Sequence, residues 1–312
     1  MSTYQLGAIV NARAKRARRD PALSERLARL LSPERVRTTA GADDVEPALA
    51  ALRAEGVDTL VVVGGDGTVG GTFTPLLRCW PRLELPAIVP TLGGTVGTIA
   101  KSLGARGRPE ETVERLLAGA PLRVDTRRAV VEVRADGGRP RAGLIFINGV
   151  GVRWLEMYYR DSRLGVSGAS SVVARITGSA LVGGPLARRI FAPFRARVIV
   201  EGKLLEKEEW TIMAASSVRH VGLGFQPFHT AGDDPARIHF AATSASARRL
   251  LRDMPALRLG IDRPDSVLEH HPARHVEIEI PEAESWSLDA DTYPPAHALE
   301  ISAGAALRFI SP

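Results

Sequence analysis

Cysteine occurs once in the 312 residues, at Cys79, so no internal disulfide can form, and no Cys/His grouping has zinc-finger spacing, so neither a disulfide scaffold nor a structural zinc site is expected. A reducing cytoplasmic setting is therefore expected. Aromatic residues are only 5% of the chain and are not interleaved with basic ones, which removes the stacking platform that single-stranded nucleic acid needs. No uncharged apolar stretch reaches the ~18 residues of a membrane span. At the N-terminus the apolar run Leu6–Val10 precedes the basic run Arg13–Arg19, the reverse of a secretory signal. No large excess of one charge exists either: 41 Lys and Arg against 35 Asp and Glu give a net charge of +6. That excess is too diffuse for nucleic acid, which is not expected as a partner, but it suits phosphates and anionic lipid surfaces.

What is present is an ordinary globular composition, 45% hydrophobic and 24% charged, in a chain about twice the usual ~150 residues of one domain. In the first 125 residues strand-like and helix-like segments alternate. Leu6–Val10, Thr59–Val63 and Ala87–Pro90 read as strands, and Pro21–Leu31, Val45–Glu55 and Glu110–Ala118, after Pro109, as helices. This rhythm predicts an α/β domain, a parallel sheet covered by helices, over residues 1–125. Residues 126–312 read as β-rich: Arg128–Arg134, Leu144–Asn148, Arg195–Val200, Trp210–Ala215, Arg237–Ala241, His275–Ile280 and Leu307–Ile310 are strand-like, with hairpin turns at Gly137-Gly138 and Glu201-Gly202. A β-sandwich domain is expected there, with the last residues free to return to the first domain. Residues 157–194 interrupt it with amphipathic helix character and the spaced arginines Arg160, Arg163, Arg175, Arg188 and Arg189, either a packed helical insertion or a face for anionic membrane.

The densest chemistry lies where the buried strand Thr59–Val63 runs into Gly64-Gly65-Asp66-Gly67-Thr68-Val69-Gly70-Gly71. Glycines let a backbone approach an anion closely, and a following helix N-terminus adds its dipole, so the junction predicts a phosphate cradle. A second loop, Gly93-Gly94-Thr95-Val96-Gly97-Thr98, follows the strand Ala87–Pro90. A Walker A reading fails because Ala100, not glycine, precedes Lys101-Ser102, and a dinucleotide fingerprint fails because Glu84 precedes its strand rather than ending one. Asp66 among phosphate-binding amides implies a divalent cation, an alcohol to deprotonate, or a local turn cap.

Gly64-Gly65-Asp66-Gly67-Thr68 resembles the G-G-D-G-T motif of the diacylglycerol kinase, sphingosine kinase and bacterial lipid kinase superfamily, shared more distantly with NAD kinases. Ala8–Asn11 is similar to that family's opening strand and Asn, and Thr38-Thr39 to its nucleotide-contacting threonines. In the second half, Phe146–Val152 resembles F-x-N-x-x-x-G, Val221–Pro227 resembles G-G-G-M-x-x-x-P, Gly232–Ala236 matches a D-D-G loop in part, and Leu288–Asp291 takes the place of D-G-E. This chain has Gly71 where the family has Glu, and Gly97-Thr98 where it has Asn-Asp.

The resemblance implies an ATP-dependent lipid kinase that transfers phosphate from Mg-ATP to the hydroxyl of diacylglycerol or a similar lipid, working at an anionic membrane surface. It implies nucleotide contacts from Asn11, Thr39, Gly64, Gly65, Asp66, Gly67, Thr68 and Thr95. Asp291 would be the proton acceptor, with Asp66 the other candidate carboxylate, and Asp234 would hold a structural Mg²⁺ with the carbonyls of Ala231 and Ala236. The missing acids keep open a catalytically impaired nucleotide- or lipid-binding protein, and an NAD-kinase-like enzyme is the remaining reading. A homodimer is left open.

Overall fold

The structure is a computed structural model and describes residues 4–94, 97–160, 166–261, 263 and 265–312. The chain divides into two compact units, residues 1–128 with 305–312, and residues 129–304.

In unit 1 the elements run β1 (Leu6–Asn11), α1 (Lys15–Arg19), α2 (Leu23–Leu31), β2 (Val36–Thr39), α3 (Val45–Ala54), β3 (Thr59–Gly64), α4 (Asp66–Cys79), β4 (Ala87–Leu92), α5 (Thr98–Ser102), α6 (Pro109–Leu117) and the start of β5 (Val124–Ala135). β1 pairs in parallel with β2 and β3, and β3 in parallel with β4. Every residue of β3 is buried, as an all-apolar strand covered on both faces requires. Leu23, Leu27 and Leu31 of α2 and Val113 and Leu116 of α6 pack on Leu6, Ala8, Val10, Val61 and Val63. Their spacing of three and four residues puts these side chains on one helical face. α4 forms despite Gly70, Gly71 and Pro75 because Val69, Phe73 and Leu76 are fully buried. Burial at ~1.5–3 kcal/mol per large apolar side chain outweighs the ~1 kcal/mol that each glycine costs a helix.

Unit 2 continues with β6 (Arg141–Gly143), β7 (Ile145–Asn148), α7 (Val150–Arg160), α8 (Val166–Leu181), α9 (Pro185–Ile190), β8 (Phe194–Arg195), β9 (Arg197–Val200), β10 (Lys203–Leu204), β11 (Glu209–Trp210), β12 (Ile212–Ser216), β13 (Ile238–Thr243), α10 (Ala247–Leu259), β14 (Glu269–Ala273), β15 (His275–Leu288) and β16 (Asp291–Ser311). β16 pairs antiparallel with β15 over residues 291–302, and its Phe309 lies parallel to Ile88 of β4 within unit 1. The strand expected at Leu307–Ile310 is thus the end of a much longer one.

The expected β-sandwich is not delineated. β5–β6, β7–β12, β12–β13, β13–β14, β9–β10 and the pairs of β15 with β7, β9 and β16 are all antiparallel and belong to one hydrogen-bonded sheet, and β8–β11 form a separate two-stranded ribbon. The physical reason is β15. Its register shifts around Glu284 bend the strand, so that His275–Glu279 meets β9 and β16 while Trp286–Leu288 meets β7. One strand thereby joins what a sequence pattern reads as two sheets, over a core that includes Phe146, Trp210, Phe240 and Trp286.

The Glu201-Gly202 hairpin forms with both residues at positive φ, 51° and 75°. The turn expected at Gly137-Gly138 sits one residue earlier, with Asp136 and Gly137 at φ 47° and 70°. In the helical segment, α7 begins at Val150, ahead of the expected 157, and Trp154, Met157 and Tyr158 of α7 pack with Val172 and Ile176 of α8 and Leu186 and Ile190 of α9. Arg163 lies outside the described residues. No helix among the described residues is long and apolar enough to cross a membrane.

Candidate functional site

The strands of unit 1 run in the order β4-β3-β1-β2, so the connections leaving β1 and β3 diverge to opposite sides of the sheet. In open α/β sheets ligands gather at the carboxyl ends of the two strands at such a divergence. Here those ends carry Asn11 and the Gly64–Thr68 loop, and the two are joined: Asn11 Nδ2 donates to Thr68 Oγ1 at 2.8 Å. Asn11 Oδ1 accepts from the Arg13 amide at 2.8 Å, which turns the chain away from β1. Thr39, buried at the end of β2, stands opposite Asn11 and accepts the Ala12 amide on its carbonyl at 2.9 Å. Asn11, Thr39, Gly64 and Thr68 therefore lie at one rim of the sheet, and Thr95 lies outside the described residues.

The two glycine loops touch backbone to backbone. The Gly93 amide donates to the Gly64 carbonyl at 2.9 Å, and a Cβ added at Gly94 would lie 2.4 Å from Gly65 Cα. At Gly64 an added Cβ would lie 2.3 Å from the Thr68 side chain. Gly64, Gly65, Gly93 and Gly94 are thus glycine for the fit of the protein to itself. Gly67 differs: in the first turn of α4, an added Cβ would meet nothing within 4 Å. A helix N-terminus favours an anion through its dipole, and the Thr68 hydroxyl lies in this same first turn, while the Thr68 amide donates to the Gly65 carbonyl at 2.9 Å. α1 is positioned by Arg16, whose amide donates to the Gly93 carbonyl at 3.1 Å and whose guanidinium donates to the Leu92 carbonyl at 3.2 Å. The sequence reading assigned these basic residues no site role, although their position directly after Asn11 signals one.

Asp66 opens α4, but its carboxylate faces the other loop. Its two oxygens accept the amides of Thr98 at 2.8 Å and Ile99 at 3.0 Å, which caps α5. Burial raises its pKa, against those backbone donors and the charge of Lys101. Of the three readings open to Asp66, the geometry supplies the cap, made to a neighbouring helix rather than to its own turn.

In unit 2 the Leu288–Asp291 segment is the hairpin between β15 and β16. Asp289 and Ala290 stand at its tip with φ 50° and 76°. Asp289 is buried, and its carboxylate accepts the amides of Leu144 at 3.0 Å and Ile145 at 2.9 Å. Asp291, two residues on, is differently placed. Burial raises its carboxyl pKa while Arg141 pulls it down, and burial, joined by the Asp291 charge, raises the phenols of Tyr159 and Tyr293. Tyr159 donates to the Ala290 carbonyl at 3.0 Å, and the Arg141 guanidinium sits 4.6 Å from the Tyr293 ring centroid, with Trp286 stacked on the far side at 4.3 Å. The result is an acid with a raised pKa beside aromatic surface. In β7, next to this hairpin, Asn148 is fully buried. Its Oδ1 accepts the Met213 amide at 3.0 Å, and its Nδ2 has no partner.

The Asp234 loop is closed by protein contacts. Asp234 Oδ1 accepts the Ala236 amide at 2.8 Å, closing an Asx turn, and Oδ2 lies 3.3 Å from Arg237 Nε. Each oxygen thus has one protein partner. The Ala231 amide donates to the Phe228 carbonyl at 3.1 Å, and Asp233 pairs with Arg219. Pro235 accounts for the difference from a D-D-G loop, because it fixes φ and restricts Asp234 to extended backbone.

Residues 5–129 match the family model of the diacylglycerol kinase catalytic domain. The matched residues make up nearly all of the first stretch of unit 1. Its fold is similar to a solved structure from Bacillus anthracis str. Sterne that is provisionally named a diacylglycerol kinase, with a TM-score of 0.71 and 17% identity over 100% of this chain and 99% of that one. A second structure from that organism, titled a diacylglycerol kinase, gives a TM-score of 0.65 and 16% identity, covering 100% of this chain and 98% of that one. Among curated proteins no match is found. The switch point at β1 and β3, and the glycine loops on it, belong to the portion that the diacylglycerol kinase family model matches.

Proposed function

We propose that the chain is a divergent member of the diacylglycerol kinase and lipid kinase superfamily, an ATP-dependent lipid kinase in which unit 1 binds the nucleotide and unit 2 binds a lipid alcohol such as diacylglycerol. The observation that carries this reading is the open first turn of α4 at the switch point, where glycine is required by no protein neighbour at Gly67. The Gly67 amide, the Thr68 hydroxyl, which accepts from Asn11 and keeps its own proton to donate, and the charges of α1 suit phosphate oxygens. Thr39 and Thr95 complete the expected nucleotide contacts, and Asp66 positions the second loop through α5. Phosphoryl transfer of this kind depends mostly on alignment and charge neutralisation.

In unit 2, Asp291 accepts the proton of the acceptor hydroxyl as that oxygen attacks the γ-phosphorus and ADP leaves. A pKa raised by burial makes it a better base than an exposed aspartate. Mg²⁺ arriving with ATP supplies charge neutralisation on the phosphates. The carboxylate oxygens of Asp66 and Asp234 each have one protein partner already, so an ion there would share them with those partners. Peripheral attachment is supported by exposed Tyr159, Leu181 and Val182 in the α7–α9 segment, which also carries Arg160, Arg188 and Arg189. Apolar insertion and attraction to anionic headgroups then act together.

Transfer of labelled phosphate from Mg-ATP to diacylglycerol and other lipid alcohols, presented in anionic mixed micelles, tests the reading. Lipid phosphate formed in proportion to enzyme is expected. ATP binding without transfer to any lipid would favour the second reading, a nucleotide-binding protein that has lost catalysis. The absence of a carboxylate at Gly71 and the use of both Asp66 oxygens for capping give that reading its basis.

A further inference from the structure

Away from the residues of the kinase reading, three imidazoles converge at one edge of the unit 2 sheet. His239 lies on β13, His270 on β14, and His229 in the loop before β13. β13 and β14 pair with Ala241 opposite His270 and His239 opposite Pro272, so His239 and His270 are diagonal neighbours on one face. The ring nitrogens His239 Nε2 and His270 Nδ1 are 2.8 Å apart. All three rings stack edge to face, with centroids 4.6 to 5.0 Å apart, and one nitrogen from each falls within 4.8 Å of the others.

We propose that His229, His239 and His270 form a binding site for a divalent transition-metal ion of the Zn²⁺ type. Three imidazole nitrogens without a carboxylate are donors for Zn²⁺, Co²⁺ or Ni²⁺ and poor ones for Mg²⁺ or Ca²⁺, so the ion that accompanies ATP does not compete. Metal–nitrogen bonds of ~2.0–2.1 Å in a tetrahedron place the nitrogens ~3.4 Å apart. The 2.8 Å between His239 and His270 is about half an ångström short of that distance, so closure parts these two rings slightly. A feature common in metal-bound histidines is already present: His239 Nδ1 lies 2.6 Å from Thr230 Oγ1, which fixes the ring and leaves Nε2 facing the cluster. His239 is buried. Three protein ligands leave a fourth position for water. The bound ion ties the loop that carries His229, Asp233 and Asp234 to the edge strand β14. The motif escapes sequence reading because its three members come from separate segments, with no short ligand spacing.

The test uses the untagged full chain, stripped with chelator and then titrated with Zn²⁺ and with Co²⁺. One Zn²⁺ per chain, and a Co²⁺ complex with the intense visible absorption of four-coordinate geometry, are expected. His229→Ala and His270→Gln, both at half-buried positions, should each weaken binding by at least the ~10–100-fold that loss of even an outer-shell partner costs, while melting normally without metal. His275→Ala, at an exposed histidine elsewhere, should bind like the parent. No saturable Zn²⁺ binding, a weak octahedral Co²⁺ spectrum, or equal affinity in the parent, His229→Ala and His270→Gln would overturn the proposal.

Discussion

The tips that matter in the two units are built on opposite principles. In unit 1 the loops after β3 and β4 meet backbone to backbone at Gly64 and Gly65 against Gly93 and Gly94, with the Asp66 carboxylate the one side chain described that bridges them. In unit 2 the hairpin between β15 and β16 is held by side chains: Asp289 by two amides, Tyr159 on the Ala290 carbonyl, and Arg141 and Trp286 on either side of Tyr293. A site made of backbone responds to volume, because one methyl group has nowhere to go. A site made of side chains responds to charge and can be altered in steps.

The largest effect is expected where volume decides. Gly94→Val places a branched side chain 2.4 Å from the Gly65 backbone and should cost more than ~3 kcal/mol of stability, as overpacking a rigid contact does, with ATP binding lost alongside the fold. Denaturant unfolding measures it. Gly67→Ala is its counterpart: stability should stay within ~1 kcal/mol or rise, helix propensity favouring Ala, while nucleotide affinity falls. Unchanged ATP affinity in Gly67→Ala would move the cradle away from α4.

Next comes charge. Asp291→Asn should lower turnover by roughly 10²-fold or more with ATP affinity intact. Because burial raises the Asp291 pKa and the base must be ionised, kcat/KM should fall as pH drops through that raised value, at higher pH than an ordinary aspartate would give. Arg141→Met removes the positive charge that pulls this pKa down, so the acid limb should move to still higher pH. A limb that stays in place identifies some other titrating group.

The smallest effect concerns the hairpin tip. Ala290 holds φ 76°, where an L-residue is strained and glycine is not, so Ala290→Gly should stabilise the chain by about 1 kcal/mol. Thermal unfolding would reveal it. A loss instead of a gain would mean that the tip is set by its Tyr159 contact rather than by backbone preference.

The same contrast decides what could be read from residues alone. The α/β rhythm, the buried strand before Gly64 and the Glu201-Gly202 hairpin are local patterns, and they appear as read. α4 was not delimited in advance because its glycines and Pro75 speak against a helix that only tertiary burial supports. β14 escaped because Glu269-His-His-Pro-Ala is polar and contains proline, tolerable on an edge strand. Asp66 could be singled out as functional, but its partners, the Thr98 and Ile99 amides, lie across a loop contact with no sequence signal. For the same reason the glycines of the two loops could be tied to a ligand but not to each other.

β16 also constrains how the protein is made. Its last turn of sequence, with Leu307, Phe309 and Ile310 fully buried, belongs to unit 1, and the whole of unit 2 is translated in between. While the ribosome produces residues 129–304, the β4 edge has no partner, and Phe73 lacks the Phe309 ring that meets it edge to face at 6.1 Å. An unpaired, apolar edge is a hazard on that timescale, and it closes only through the most distant pairing in the chain, a slow step by topology. Unit 1 therefore keeps an unpaired β4 edge until residues 305–312 have been made.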